Sequence, residues 1–500
     1  MIELAAGRVE PTISFRREFL RAAFTSGTYV AADGLARGVA LALSLVYTYY
    51  ILPNEFGTLA ITGTVTLLLA SVLGLSISSG VSRLYFETDD DAQRRALYAS
   101  SLGFLLLVPT LMAVAIEIVG RTGVLDVFEA APYSPYLRYA VLTAYCSMFL
   151  DLAVSIYVVQ RRAHAVLFLS LVNGGLLLLL SLLLVAVAHE RVLGVLRAGL
   201  LSSGVLAAVS ILLVLRMAGY RVSLSRRWLV PALGFSIPLI PHALAQWVLQ
   251  VSDRPILSHF VSSTELGIYY LGYSIGAIAG LAVHGVSRAM TPVVTRGLKA
   301  ESTVRVVRLG TYSFGVLVVA CLAVALFGRD VLALVVNIRY AEAPRIVPVI
   351  ALAHVPFAAY AIVAQGIWFA MRTRLVPLLT FLAGAVNVGL NLFLIPRFGI
   401  MAAAWDTVAG FAALAVFNAV VAHRLYRIDW EYGRWVKLVA AAVTAYSFAQ
   451  LAGASPSLSR LLLELGGVLV VLPVTLTTLR FWSDAERSLL RGLLRRRSAS

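Results

Sequence analysis

About fourteen apolar stretches of helical length recur between Ala22 and Leu479, and they constrain this chain more than any other feature. A helix of about 20 apolar residues crosses the roughly 30 Å hydrocarbon core of a bilayer. Inside that core every backbone N–H and C=O needs a partner, and a helix supplies it from within the segment. The stretches are continuous rather than alternating, which argues against a membrane β-barrel. Composition agrees: the chain is 60% hydrophobic and 13% charged, whereas a soluble domain is about half apolar and a quarter charged. The polar connections run to about twenty residues at most, too few to bury a core of their own. The expectation is an all-α polytopic membrane protein of about 14 transmembrane helices. They lie near residues 22–51, 57–81, 96–118, 136–159, 165–187, 193–215, 229–252, 266–289, 306–327, 346–370, 374–395, 400–421, 435–452 and 460–479. Pro109 interrupts the third span, and Pro231, Pro238 and Pro241 break the seventh.

Positive charge orients the spans, because short cytoplasmic connections carry the excess of Arg and Lys. With the N-terminus inside, the inner segments hold 30 of the 41 Arg and Lys and the outer loops hold nine, while Arg37 and Arg197 fall within spans. Both termini are then cytoplasmic and the protein is placed in the cytoplasmic membrane. The formal charge of +16 follows this topology, and no soluble basic face remains to bind nucleic acid. Arg495-Arg496-Arg497 suits either anionic lipid heads or a plain stop-transfer anchor. Residues 1–21 are polar and the first apolar stretch is too long for the core of a signal peptide, so it is expected to remain as the first span. Cys146 and Cys321 lie in apolar stretches and read as packing residues, with no disulfide framework and no metal site.

Two short elements occur once in each half. Glu55-Phe56-Gly57 precedes Gly80-Val81-Ser82-Arg83, and Glu265-Leu266-Gly267 precedes Gly285-Val286-Ser287-Arg288. Both pairs sit at the same place in a two-helix pattern, and internal repeats around a midplane site are a transporter architecture. The expected organisation is a cytoplasmic segment 1–21, an N-lobe 22–216 of helices one to six, a C-lobe 217–423 of helices seven to twelve, and 424–500 holding two appended helices and a basic tail. The six-helix lobes are expected to form a V around a central cavity, with the appended helices outside it.

Three segments resemble a known family. Leu52-Pro53-Asn54-Glu55-Phe56-Gly57 is similar to the first outer loop of polysaccharide exporters and O-antigen flippases. Asp253-Arg254-Pro255-Ile256-Leu257, followed by Glu265-Leu266-Gly267-Ile268-Tyr269, resembles their second-lobe hallmark. Asn391 to Ile400, with Pro396 and Gly399, followed by Ala402-Ala403-Ala404, resembles their junction of helices eleven and twelve. Together they cover residues from about 20 to 425. The resemblance is to the oligosaccharide branch of the multidrug/oligosaccharidyl-lipid/polysaccharide (MOP) exporter superfamily. It implies flipping of a polyprenyl-diphosphate-linked oligosaccharide across the cytoplasmic membrane by alternating access, for cell-surface polysaccharide biosynthesis. It further implies a monomer whose partners are the lipid-linked oligosaccharide, membrane lipid and other polysaccharide-assembly proteins. Fourteen spans also resemble the lipid II flippase branch, whereas drug and cation antiporters of the superfamily usually have twelve.

Polar groups inside spans cost at least ~2.5–3.5 kcal/mol when charged, so each needs a reason. Asp33 and Arg37 share one face of the first span. They are either a self-neutralising pair or cavity residues, with the Arg37 guanidinium offering its planar fork to a diphosphate. His242 and Gln246 lie four apart in the broken seventh span, where a histidine either packs or titrates as a coupling group. Asn387 and Asn391 share a face of the eleventh span and suit sugar hydroxyls or interhelical contacts equally. Gln365 is a singleton of the same type. Asp151 and Asp406 are candidate ion-coupling carboxylates. Asp253-Arg254 reads as an ion pair or helix-end anchor, Arg83 and Arg288 as snorkelling cations. Asp89-Asp90-Asp91 reads as a solvated helix start.

No zinc-protease motif, phosphate-binding glycine loop or nucleophile elbow occurs. No catalytic residue and no cofactor is therefore expected. The competing readings are a lipid II-type flippase, a drug or cation antiporter, and a membrane polymerase, ligase or glycosyltransferase. The last class ordinarily needs a long extramembrane segment that this chain lacks.

Overall fold

The computed structural model of the chain describes residues 34, 38–88, 90–299, 302–372, 374–453, 456–483 and 486, and all regular structure among them is helical. Twelve helices among the described residues are long and apolar enough to cross a membrane. Two features separate this number from the fourteen spans read in the sequence. The first span is described only from Gly38 to Tyr50, a short apolar helix, α1. The eleventh and twelfth spans form one stretch of 51 residues, Leu375–Leu425, interrupted by non-helical Gly399 at φ 59°, ψ −144°. That conformation has positive φ, which suits a residue without a Cβ.

After α1 comes α2 (Pro53–Leu73). Contacts then divide the chain into two compact units. The first takes the described residues up to 43, with 72–117 and 141–237. It contains α3 (Ile77–Tyr85), most of α4 (Asp91–Gly120) and of α5 (Arg138–Val159), then α6 (Ala163–Ser181), α7 (Arg191–Met217) and α8 (Arg226–Ser236). Ile77, Gly80, Val81 and Leu84 recur at helical spacing and form the buried stripe of α3. Gly80 lets α3 reach the backbone of α8: a Cβ there would lie 2.5 Å from the Ala232 carbonyl oxygen and 2.7 Å from Ser236 Oγ. The hydroxyls of Ser82 and Ser155, 2.7 Å apart, tie α3 to α5. Asp91 opens α4 and Asp90 accepts the Ala92 N–H at 3.0 Å, as a solvated helix start would. Pro109 does not interrupt α4, which runs on for 30 residues; the ring removes a single backbone donor, and the turns on either side hold the helix together.

The second unit takes residues 44–71, 118–140 and the described residues from 238 onward. Besides most of α2 it contains α9 (Ile240–Val251), α10 (Asp253–Phe260), α11 (Ser263–Gly276), α12 (Ala279–Lys299), α13 (Thr303–Ala323), α14 (Arg329–Val335), α15 (Val347–Val363), α16 (Gln365–Phe369), α17 (Leu375–Leu425), α18 (Tyr432–Ala449), α19 (Leu458–Gly466) and α20 (Leu472–Thr478). The seventh span breaks as its prolines require: α8 stops at Ser236, a tight turn covers Ile237–Leu239, and α9 restarts with Pro241 in its first turn.

The repeated Glu-x-Gly elements acquire a physical meaning here. Each glutamate caps its own helix. Glu55 accepts the Leu52 N–H at 2.9 Å ahead of α2, and Glu265 accepts the Ser262 N–H at 3.1 Å while Ser262 Oγ accepts the Glu265 N–H at 3.2 Å. Two residues on, each glycine touches the other helix. A Cβ on Gly267 would fall onto the Pro53 carbonyl oxygen, and one on Gly57 onto the Ser263 carbonyl oxygen. So the two copies meet, backbone against backbone, where α2 crosses α11. Close approach of small residues is the usual device for packing helices in lipid, where apolar burial gives little drive. Phe56 closes the crossing, edge-on to Tyr340 at 5.4 Å. The second element is not symmetric: Gly80 is jammed, but nothing lies within 4 Å of a Cβ on Gly285.

The core of the second unit gathers α12, α13, α15, α17 and α18, with Phe314 stacked on Trp435 at 4.6 Å and Phe357 tilted against Phe411 at 4.8 Å. The penultimate span, α18, thus contributes Trp435, Leu438, Ala441 and Ala445 to that core. At one end of α19, Arg460 is fully buried. Its Nε donates to Asp330 at 2.7 Å and to Glu464 at 3.1 Å, and its other nitrogens reach the Gly453 carbonyl and Gln450. Arg460 and Glu464 both fall within the last apolar stretch, 460–479. In the structure the two sit four apart on one helix face and form an ion pair at 3.1 Å.

Candidate functional site

The densest buried polar group among the described residues that the sequence singled out lies on α17. Gly399 turns the chain so that residues 375–398 and 400–425 form two arms, and Asn387 on the first donates from Nδ2 to the Asp406 carbonyl on the second at 3.0 Å. Asn391, one turn along, donates from Nδ2 to Asn387 Oδ1 at 3.0 Å. Gly410 makes room for this, since a Cβ there would lie 3.0 Å from Asn387. All three polar residues are buried. Two acceptors are left over: Asn391 Oδ1 and Asp406 Oδ2 are sealed from solvent and receive no hydrogen bond. A buried carboxylate oxygen without a donor is expensive. Hard oxygen donors of this kind suit a proton or a small hard cation.

The other sequence candidates do not join this group in any recorded hydrogen bond. Gln365 donates to Thr291 at 3.2 Å and so links α16 to α12. Gln246 accepts from Gln250 at 3.0 Å within α9, and the Gln250 carbonyl in turn receives Arg254 at 3.2 Å and the Tyr273 hydroxyl at 3.0 Å. His242, one turn before Gln246, keeps its Nδ1 buried and unbonded. Asp151 lies on α5 in the first unit; it is exposed and has no recorded partner among the described residues. Asp33 and Arg37 lie outside the described residues.

Asp253 and Arg254 form a buried ion pair at 3.3 Å. The Tyr269 hydroxyl donates to Asp253, and the guanidinium lies 4.2 Å from the Tyr273 ring centre. This pair is fully enclosed, so it serves as an anchor between α10 and α11. Sequence reasoning missed two buried groups. His354 on α15 bonds the Ile350 carbonyl at 2.8 Å and packs against Phe357 and Phe411; only its isolation in an apolar span could have pointed to it. Arg460 had a signal, its four-residue spacing from Glu464 at the start of the last apolar stretch.

An apolar cavity of about 370 Å³ opens in the second unit between α13, α15 and α18, with Trp405 of α17 at one side. Cys321, Leu352 and Val443 are among its walls, so the buried Cys321 is indeed part of an apolar surface.

Comparison with known proteins places this architecture. In the solved structure of the lipid II flippase MurJ, in an inward closed conformation, the fold recurs with a TM-score of 0.72 over 90% of this chain and 98% of that one, at 11% identity. An inward-facing multidrug resistance MATE transporter of the MOP superfamily matches with a TM-score of 0.63 over 79% of this chain and 94% of its own, at 15% identity. A protein of the Lsg locus of Haemophilus influenzae is 25% identical over 217 residues, which are 41% of this chain. The match spans about half the length of that curated relative, 53%. The model of the family described as "Polysaccharide biosynthesis protein" matches residues 50–327, more than half of the chain and including both Glu-x-Gly copies. The chain is a multi-pass membrane protein of the polysaccharide biosynthesis protein family, with the fold of the MOP exporters.

Proposed function

We propose that the protein flips a polyprenyl-diphosphate-linked oligosaccharide across the cytoplasmic membrane, coupled to an ion held at Asp406. The observation that carries the coupling is the Asp406 Oδ2, buried on α17 without a donor in a member of a polysaccharide biosynthesis family. A carboxylate in a span costs at least ~2.5–3.5 kcal/mol, and loading it with a proton or cation removes most of that cost. The MurJ structure is named a lipid II flippase, which supports a lipid as cargo. The apolar cavity of about 370 Å³ suits an isoprenoid chain better than a sugar. In this reading helices one to six and seven to twelve alternate access. Arg37 supplies a guanidinium for the diphosphate, and the chain acts as a monomeric carrier with no catalytic residue. Both termini lie in the cytoplasm, and other polysaccharide-assembly proteins deliver and consume the cargo.

Proteoliposomes containing the full chain test this. A fluorescent polyprenyl-diphosphate oligosaccharide on the inner leaflet should become accessible to an external quencher, at a rate that responds to a proton or sodium gradient. Asp406→Asn should abolish the gradient response. Vesicles that exchange a cationic dye while leaving the labelled lipid in place would refute the proposal in favour of an antiporter.

A further inference from the structure

A second polar site lies apart from α17, in the first unit, where the start of α4 meets the ends of α3, α5 and α7. It is a cleft of about 400 Å³ walled by Tyr85, Tyr98, Arg94, Arg95, Arg162 and Gln160, with Asp91 among its lining residues. Three guanidiniums face one carboxylate, so the cleft is cationic. Arg94 is committed: it donates to the Thr88 carbonyl at 3.0 Å and to Asp91 at 3.4 Å, and stacks on Tyr85 at 4.6 Å. Arg95 is only steadied. Its Nε reaches the Asp91 carbonyl at 3.3 Å, and a Cβ on Gly219 would lie 3.6 Å from its stem. Its terminal nitrogens have no recorded partner among the described residues, and neither has the Arg162 side chain.

Behind them Gln160 donates to the Tyr98 hydroxyl at 3.3 Å, while its Oε1 is sealed from solvent without a partner. Its Nε2 also lies 4.0 Å from the Met217 sulfur, at the back of the same cleft. Arginines at a membrane surface ordinarily spread into water or lipid heads. Here two exposed, uncommitted forks share one cleft with the half-buried Gln160 side chain.

We infer that this cleft binds a polyol phosphate: Arg95 and Arg162 take the phosphate oxygens and Gln160 takes a hydroxyl of the attached polyol. Guanidinium forks match phosphate geometry, and the volume exceeds what a bare phosphate needs. The chemistry is shared by a phosphatidylglycerol head and by a soluble sugar or glycerol phosphate. The inference does not depend on the transported substrate, because its readout is binding alone.

The experiment uses the purified full chain in detergent, with native mass spectrometry or calorimetry. The probes are short-chain phosphatidylglycerol, glycerol phosphate, inorganic phosphate and, as a control, short-chain phosphatidylcholine. Binding of phosphatidylglycerol or glycerol phosphate should weaken at least about tenfold in Arg95→Gln/Arg162→Gln, since two charge-assisted contacts are lost. It should be unchanged in Arg424→Gln/Arg427→Gln, a basic pair outside the cleft. Gln160→Ala should narrow the preference for glycerol phosphate over inorganic phosphate. If glycerol phosphate binds as well as the lipid, the ligand is a soluble polyol phosphate; if only the lipid binds, it is a headgroup. Equal binding by wild type and Arg95→Gln/Arg162→Gln, or equal weakening by the control pair, overturns the site. Inorganic phosphate binding as tightly as either ester overturns the role given to Gln160.

Discussion

The two copies of Gly-Val-Ser-Arg should respond differently to the same substitution. Gly80 and Gly285 both sit inside helices, α3 and α12, and alanine at either position gains about 0.5–1 kcal/mol of helix propensity. The gain is common to both, so the difference between the variants isolates packing. At Gly80 the new Cβ would lie 2.5 Å from the Ala232 carbonyl oxygen, where ordinary contact begins at 3.4 Å. About 0.9 Å must therefore be found, and the obstacle is the backbone of α8 rather than the end of a flexible side chain. Overpacking of this kind costs about 1–3 kcal/mol. At Gly285 nothing lies within 4 Å. Gly80→Ala should thus be about 1–3 kcal/mol less stable than Gly285→Ala. Thermal unfolding of the purified protein, followed by tryptophan fluorescence, should show Gly80→Ala melting several degrees lower than Gly285→Ala. Equal melting temperatures would refute the packing argument, because the propensity gain alone cannot separate the two.

Replacing Arg460 with Met strands Glu464 and Asp330 without their shared cation, and should destabilise the protein by about 3–5 kcal/mol; the triple change Arg460→Met/Glu464→Leu/Asp330→Leu should recover most of that in the same thermal assay. Near the C-terminus, burial alone would raise the Glu486 carboxyl, but the Tyr312 hydroxyl, Ser483 and the Arg434 guanidinium outweigh it and bring it down to about 2. A lowered carboxylate stabilises the contacts of Glu486 with Tyr312, Ser483 and Arg434 above its ordinary range and loses that contribution as pH falls through it towards about 2. The protection factor of the Ser483 amide, which donates to Glu486 at 2.8 Å, should therefore fall on acidification from pH 5 to pH 3, and Glu486→Gln should abolish that fall.

Much of the fold was legible because hydrocarbon leaves few solutions: continuous apolar stretches become helices, and the prolines of the seventh span stop α8 and restart α9. The spacing of Asn387 and Asn391 correctly put both amides on one face. Their link to Asp406 was not legible, since it depends on the turn at Gly399 folding one arm back on the other. The glutamates of the repeat announced that something recurs, but not that the two copies touch; that requires a tertiary crossing which no local pattern encodes. The pairing of Arg460 with Asp330 was not legible for a different reason. Hydropathy treats each charge as a cost, whereas Asp330, 130 positions away in sequence, cancels it. The arginines of the α4 cleft were visible as loop charges. Their convergence on Gln160 arises only from packing.

The meeting of Gly57 with Gly267 has an evolutionary consequence. A contact between two side chains can drift, because a larger group on one side is balanced by a smaller one on the other. Here both partners are already the smallest residue, and each abuts main chain. Neither copy can absorb a change in the other, so the crossing of α2 and α11 has no reciprocal substitution open to it. Diversification of this protein, by selection or in a laboratory library, must route around these two positions and vary the helices on either side.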